Sequence, residues 1–192
     1  MEKSKNKKLV VWGIVVLAVL AVIAIFASSY NSMVELKAQV DNKQSAISTQ
    51  LQRRSDLIPN LVNTVKGYAN HEESVYNDIA NARSKLAGAN TVSEMDKANE
   101  ELSSAVSRLL VVVENYPNLK ANENFIALSD ELAGTENRIT VARNDYNDAA
   151  KKYNVKITKF PSNIFAGIFG FEKVDYFEAD EGAEKVPEVS FK

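Results

Sequence analysis

The chain has one histidine, and it stands at the end of a stretch dense in chemically capable side chains: "RRSDLIPNLVNTVKGYANHE", Arg53 to Glu72. His71 and Glu72 open "HEESV". A zinc-peptidase helix needs its second histidine four residues after the first, so that both imidazoles meet the metal from one face. Val75 occupies that place. A di-iron bundle needs a Glu-x-x-His pair on each of two helices, which a single histidine cannot supply. The chain has no cysteine, which removes thiolate nucleophiles, thiolate metal sites, disulfides and a lipid-modified N-terminal cysteine, and leaves the redox compartment open. The serines form no legible constellation with His71, and "AGIFGF" has two glycines without a phosphate-cradling pattern. His71 reads as a solvated or hydrogen-bonded helix residue. Arg83, Arg108, Arg138 and Arg143 read as surface ion-pair partners rather than a convergent pocket. We expect no enzyme, no catalytic residue, no metal and no cofactor.

Arg53, Arg54 and Asp56 have an alternative use at a helix boundary. Two arginines suit the negative end of a helix dipole. Asp56 can cap a following helix, whose first turn would tolerate Pro59. Inside a helix, Pro59 would clash with the carbonyl of Ser55 and remove a hydrogen bond, costing about 3 kcal/mol. A hairpin tip is therefore predicted over Arg53–Asn60. A single kinked helix over 29–87 is the competing reading, because the apolar seam passes through Leu51, Arg54, Ile58 and Leu61 without slipping.

Four seams alternate spacings of three and four. The longest is Phe125, Leu128, Leu132, Thr135, Ile139, Ala142, Tyr146, Ala149 and Tyr153. Met95, Ala98, Leu102, Val106, Leu109, Val113 and Tyr116 form another. Leu61, Val65, Tyr68, Val75, Ile79 and Leu86 form a third, with Glu72 as its polar exception. Met33, Val40, Ile47 and Leu51 form the weakest, interrupted by Lys37 and Gln44. Gly88 stops one helix, and Thr91 with Glu94 has capping-box spacing for the next. "ENYPNLKANEN" is a further break around Pro117. Short links between amphipathic helices predict an antiparallel four-helix bundle with long, coiled-coil-like helices over 30–154.

Before the bundle, "MEKSKNKK" (1–8) carries four lysines and one glutamate, and Leu9–Ala27 follows as 19 residues without a polar side chain. At ~1.5 Å per residue this run spans roughly 28 Å, close to the hydrocarbon core of a bilayer. It is longer than the apolar region of a cleaved signal peptide, so 9–29 is predicted to be a retained signal-anchor. The lysines place residues 1–8 in the cytoplasm and the bundle outside it. After the bundle, 155–192 is aromatic and then acidic. It holds Phe160, Phe165, Phe169, Phe171, Phe177 and Phe191, six of the eight phenylalanines. So many aromatics do not suit a solvated tail. The segment must dock on its own bundle, on a neighbouring chain or on lipid.

The sequence resembles the LemA family of bacterial membrane proteins. The likeness is carried by "YNSMVELKAQV" (30–40), "RRSDLIPNLVNTVKGYANHE" (53–72), "ARSKLAG" (82–88), "YPNLKANENFIALSDELAGTENRITVARNDYNDAAKKYN" (116–154), "FPSNIFAGIFGF" and "YFEADEGAEKVPEVSF". Gln44-Ser45 departs from the Ala-Trp such proteins often carry there. The resemblance implies one N-terminal membrane helix and an antiparallel helical bundle. A net charge of −2 suggests no nucleic acid. We expect a single-pass protein of the bacterial inner membrane that forms a homo-oligomer and contacts an envelope protein. Its candidate contacts are Arg53, Arg54, Asp56, Phe160, Phe165, Phe169 and Phe171. The alternative is a sensory or regulatory bundle with its ligand at the Arg53–Asp56 tip.

Overall fold

The computed structural model describes residues 2–69 and 71–178, with side chains from residue 11 onward. The expected acidic end of the chain and Phe191 lie outside the described residues. The described chain is helical, with no strand. In order it forms α1 (Glu2–Lys66), α2 (Glu73–Gly88), α3 (Val92–Val113), a single turn α4 (Pro117–Lys120), α5 (Glu123–Thr158) and α6 (Ser162–Phe169). It divides into two compact units. One comprises Asn42–Asn147 and 175–178, and the other comprises residues up to Asp41 together with Asp148–Val174.

The first unit holds the second half of α1, all of α2, α3 and α4, and most of α5. Its pairings give the helix directions. Lys43 meets Asp145 and Arg53 meets Glu131, so α1 and α5 run antiparallel. Arg83 reaches Ser55, and Tyr76 reaches the carbonyl of Ala69, so α1 and α2 do too. Asp78 with Arg108 and Lys85 with Glu101 set α2 against α3 in the same sense. The core follows the predicted spacing at Ile47, Leu51, Ile58, Leu61 and Val65 from α1, Ile79 and Leu86 from α2, Leu102, Val106 and Leu109 from α3, and Phe125, Leu132, Ile139 and Tyr146 from α5, whereas Tyr68, expected in the seam, lies beyond the end of α1 and is 44% exposed.

The expected tip at Arg53–Asn60 is not there. Pro59 lies inside α1, which continues to Lys66. A break at Pro59 would pull the buried Ile58, Leu61, Val62 and Val65 out of line. Each such side chain is worth roughly 1.5–3 kcal/mol when fully buried. Together they outweigh the ~3 kcal/mol cost of an interior proline. The chain instead leaves α1 after Lys66 and resumes helix at Glu73, which also splits the seam expected to run unbroken from Leu61 to Leu86. Tyr76 closes this turn. Its hydroxyl donates to the buried Ala69 carbonyl at 2.6 Å, and the Lys66 ammonium sits 4.8 Å from its ring centroid. Arg53 and Arg54 thus lie mid-helix. Asp56 caps nothing and accepts a hydrogen bond from Gln52 one turn earlier at 2.8 Å.

The predicted start of α3 is observed. The Thr91 hydroxyl accepts from the Glu94 amide, and the Glu94 carboxylate accepts from the Thr91 and Asn90 amides, a complete capping box. At α5, the Asn122 side chain accepts from the Phe125 amide.

The second unit holds the first part of α1, the end of α5, α6 and the start of the extended segment. The α1 helix is long enough and, near its N-terminal end, apolar enough to cross a membrane, and its large side chains between Val11 and Ile25 are exposed, Leu17 by 72%. The α6 helix packs on the end of that run. The Phe165 ring lies 4.1 Å from that of Phe26, and Ser29 bonds Ser162. Gly170 adopts φ +71°, a left-handed conformation costly for any side chain. It lets the Phe171 amide bond back to Ala166 while the chain leaves α6 extended.

Candidate functional site

In the bundle unit, the densest polar constellation surrounds Arg54. The α1 seam places it at a core position between Leu51 and Ile58, and its side chain is 7% exposed. Its Nη1 donates to Asn99 Oδ1 of α3 at 2.6 Å and meets Glu136 Oε2 of α5 at 2.5 Å. One guanidinium therefore ties three helices together. Its Nε is buried without a partner. Burial lowers its pKa from the usual arginine value, and Glu136 opposes that shift. Arginine remains charged at any physiological pH, so this is a permanent buried cation held by a half-exposed carboxylate.

Beside it, Arg53 and Arg138 share the Glu131 carboxylate, and Arg138 also reaches Gln50 and the fully buried Thr135. These charges are exposed, so each pair contributes little alone. Arg143 pairs with Asp96 of α3, stacks on the Phe177 ring at 5.1 Å and reaches the Glu178 carbonyl. Arg83 bonds Ser55, and Arg108 pairs with Asp78. These arginines do not converge. His71 is exposed in the turn before α2. Among the described residues no cluster of His, Asp and Glu could hold a metal ion.

Two asparagines on α5 have a role that little in their spacing announces. The Asn147 side chain donates to the Phe177 carbonyl at 2.8 Å and accepts from the Phe177 amide at 2.9 Å. In the other unit Asn154 does the same to Val174, at 2.8 and 3.0 Å. A primary amide has one acceptor and two donors, so it can satisfy both backbone groups of one extended residue as a neighbouring strand would. Tyr146 adds a bond to the Asp175 carbonyl and an edge-on ring contact with Phe177. The extended residues thus dock on α5 of their own chain. The only available hint was two asparagines one heptad apart beside the seam.

The other candidate contacts lie in the second unit. Phe165 is buried, Phe171 is half-buried beside Tyr30, Phe169 is 48% exposed with its ring 4.9 Å from Tyr30, and Phe160 is 76% exposed.

The chain is similar to several known proteins. The LemA family profile matches residues 43–191. Magnetosome protein MamQ 2 of Paramagnetospirillum magneticum is 30% identical over 189 residues, covering 85% of this chain and 70% of that protein. Magnetosome protein MamQ of Magnetospirillum gryphiswaldense is 28% identical over 191 residues, covering 86% and 70%. Protein LemA of Metamycoplasma hominis is 27% identical over 162 residues, covering 82% and 72%.

Proposed function

The chain belongs to the LemA family, and on that premise we propose that it is a non-enzymatic, membrane-anchored scaffold of the bacterial envelope. It assembles with copies of itself and engages a further envelope protein. The observation that carries this reading is α1. One helix without a break presents exposed apolar side chains from Val11 to Ile25 and then the buried bundle seam from Ile47 to Val65. Val111, 68% exposed, offers an apolar contact on the bundle, and the aromatic segment carries further exposed apolar side chains. Arg53 and Asp56 remain at the surface for a partner, while Arg54 acts from within by holding the helices that display them.

The lysines ahead of the span retain the N-terminus in the cytoplasm of an inner-membrane protein and place the bundle outside it. Asn90→Cys creates the only thiol in the chain, at an exposed position. It should react with a membrane-impermeant reagent in spheroplasts, and reaction only after lysis would reverse the topology. Size measurement of the full chain in mild detergent should give a particle of several copies without added ligand. A monomer at all concentrations would remove self-assembly.

A groove of about 500 Å³ supports a second reading, as a ligand-sensing bundle. Gln52, Ser55, Arg83 and Ser84 line it, close to Asp56, and a guanidinium among hydroxyls suits a carboxylate or phosphate. A melting shift with inorganic phosphate that disappears in Arg83→Ala would favour this reading.

A further inference from the structure

We propose that α6 is a membrane-interfacial helix, with its outward face in the bilayer beside the span of its own chain. The inference rests on the membrane anchoring proposed above and assigns an occupant to a surface that reading leaves open. The α6 helix sends Phe165 and Ala166 inward, with Phe165 against Phe26. The side turned away from them shows Ile164 and Ile168, 52% and 66% exposed; Phe169 is still 48% exposed although its ring meets Tyr30, and Phe160 stands just before the helix at 76%. For an eight-residue helix this is a large apolar area to leave in water.

The location identifies what covers it. The inner contacts of α6 are with Phe26, Ser29 and Tyr30, where the uncharged run of α1 ends. A helix attached there meets the boundary between acyl chains and headgroups. Tyr30, Phe169 and Phe171 form an aromatic group at that level, the side-chain type enriched at membrane interfaces. Lys151, Lys152 and Lys156 lie on the last turns of α5 and Lys159 just beyond it, ahead of α6, and a cationic approach suits anionic headgroups. Between α1 and α6 an open cavity of about 400 Å³ is lined by Ala24 and Ile25 and by Ser28 and Lys156. Apolar side chains and one ammonium in a single lining are the chemistry that a phospholipid would meet. An interfacial helix buries its apolar face to a depth of roughly 5–10 Å.

The absence of cysteine allows a direct test. Single variants Ile164→Cys, Ile168→Cys, Leu20→Cys and Val141→Cys of the full chain would carry a nitroxide in vesicles of zwitterionic and anionic phospholipid. All four positions are exposed, so the label does not disturb packing. Collision with oxygen reports lipid, and collision with a water-soluble nickel chelate reports solvent. The oxygen-to-nickel ratio at Ile164 and Ile168 should exceed that at Val141 by about tenfold, with a depth shallower than at Leu20. Solvent-like values at both positions, with Leu20 in lipid, would overturn the interfacial helix and leave the anchor standing. So would shielding from both reagents with spin–spin broadening that fades on dilution with unlabelled chain, since a second copy would then cover the face. A solvent-like Leu20 would overturn the anchor and the interfacial helix together.

Discussion

The bundle unit and the unit containing α6 are built from the same two long helices, yet they differ in what they leave exposed. Between Asn42 and Asn147 the apolar seams close on one another, and charge enters the interior as Arg54 with its partners. In the other unit Met33, Val40, Tyr153 and Ile157 are buried, while Leu17, Leu20, Phe160 and Ile168 are exposed by half or more. The first unit excludes water with its own side chains. The second has a solvent-facing surface as apolar as an interior, which is stable only in a medium that is itself apolar. The same aromatic residue therefore has different value in the two places.

The largest expected effect tests that difference directly. Phe125→Ala in the bundle should cost about 3–5 kcal/mol, measured by denaturant melting in detergent, because it leaves a cavity in a closed core. Phe165→Ala, on an equally buried side chain, should cost only about 1–2 kcal/mol, because lipid or detergent tails are as apolar as the site they would fill. Equal costs would remove the distinction. Next, Glu136→Ala should destabilise the bundle by about 3 kcal/mol, because it strands a buried Arg54 that cannot lose its charge. Arg54→Met should cost less: Glu136 Oε2 is buried in the parent, but its side chain is 42% exposed and can turn the carboxylate toward water. The reverse ranking would mean that the pair is not oriented as described. Pro59→Ala should raise the bundle's melting temperature, a gain of about 1–3 kcal/mol, by removing the ring clash and restoring a helical N–H. A loss would argue for a bend at that point.

The smallest effect is electrostatic. The Asn90 and Thr91 amides, with the Thr91 hydroxyl, hold the Glu94 carboxyl below its ordinary value of 4.5. A depressed folded-state pKa contributes stability that is present above the unfolded value and is lost as pH falls through the folded one. The stability difference between the parent and Glu94→Gln should therefore shrink on acidification below about pH 4.5. A difference constant across that range would mean that the capping box does not persist in solution.

Periodicity and turn chemistry made much of the bundle legible. The α5 seam from Phe125 to Tyr153 is buried or half-buried at each predicted position, and the Thr91–Glu94 box is where its spacing puts it. The errors at Pro59 and at 67–72 share a cause. A local rule assigned a helix break to the proline, whereas the packing of its neighbours decided the matter. "KGYANHE" did contain a usable signal, with Lys66 at a helix end, Gly67 just after it, and Glu72-Glu73 opening the next helix. The apparent run from Leu61 to Leu86 concealed it. Among the candidate contacts, two adjacent arginines separated completely, Arg53 to the surface and Arg54 to the core. Neighbours on a helix point about 100° apart, so only the position of the seam distinguishes them.

By itself the sequence determined the helical class, the apolar run of membrane-spanning length and the seams of the bundle. These follow from backbone geometry and the transfer of side chains out of water, and both act through spacing along the chain. Only the tertiary structure decided that α1 continues through Pro59, that Asn147 and Asn154 grip the backbone of the extended segment, and that Phe165 turns inward while Phe160 does not. Each of those depends on groups distant in sequence. Distant apolar partners offset the proline, and distant backbone groups satisfy the amides. Phe26 covers Phe165, while nothing among the described residues covers Phe160.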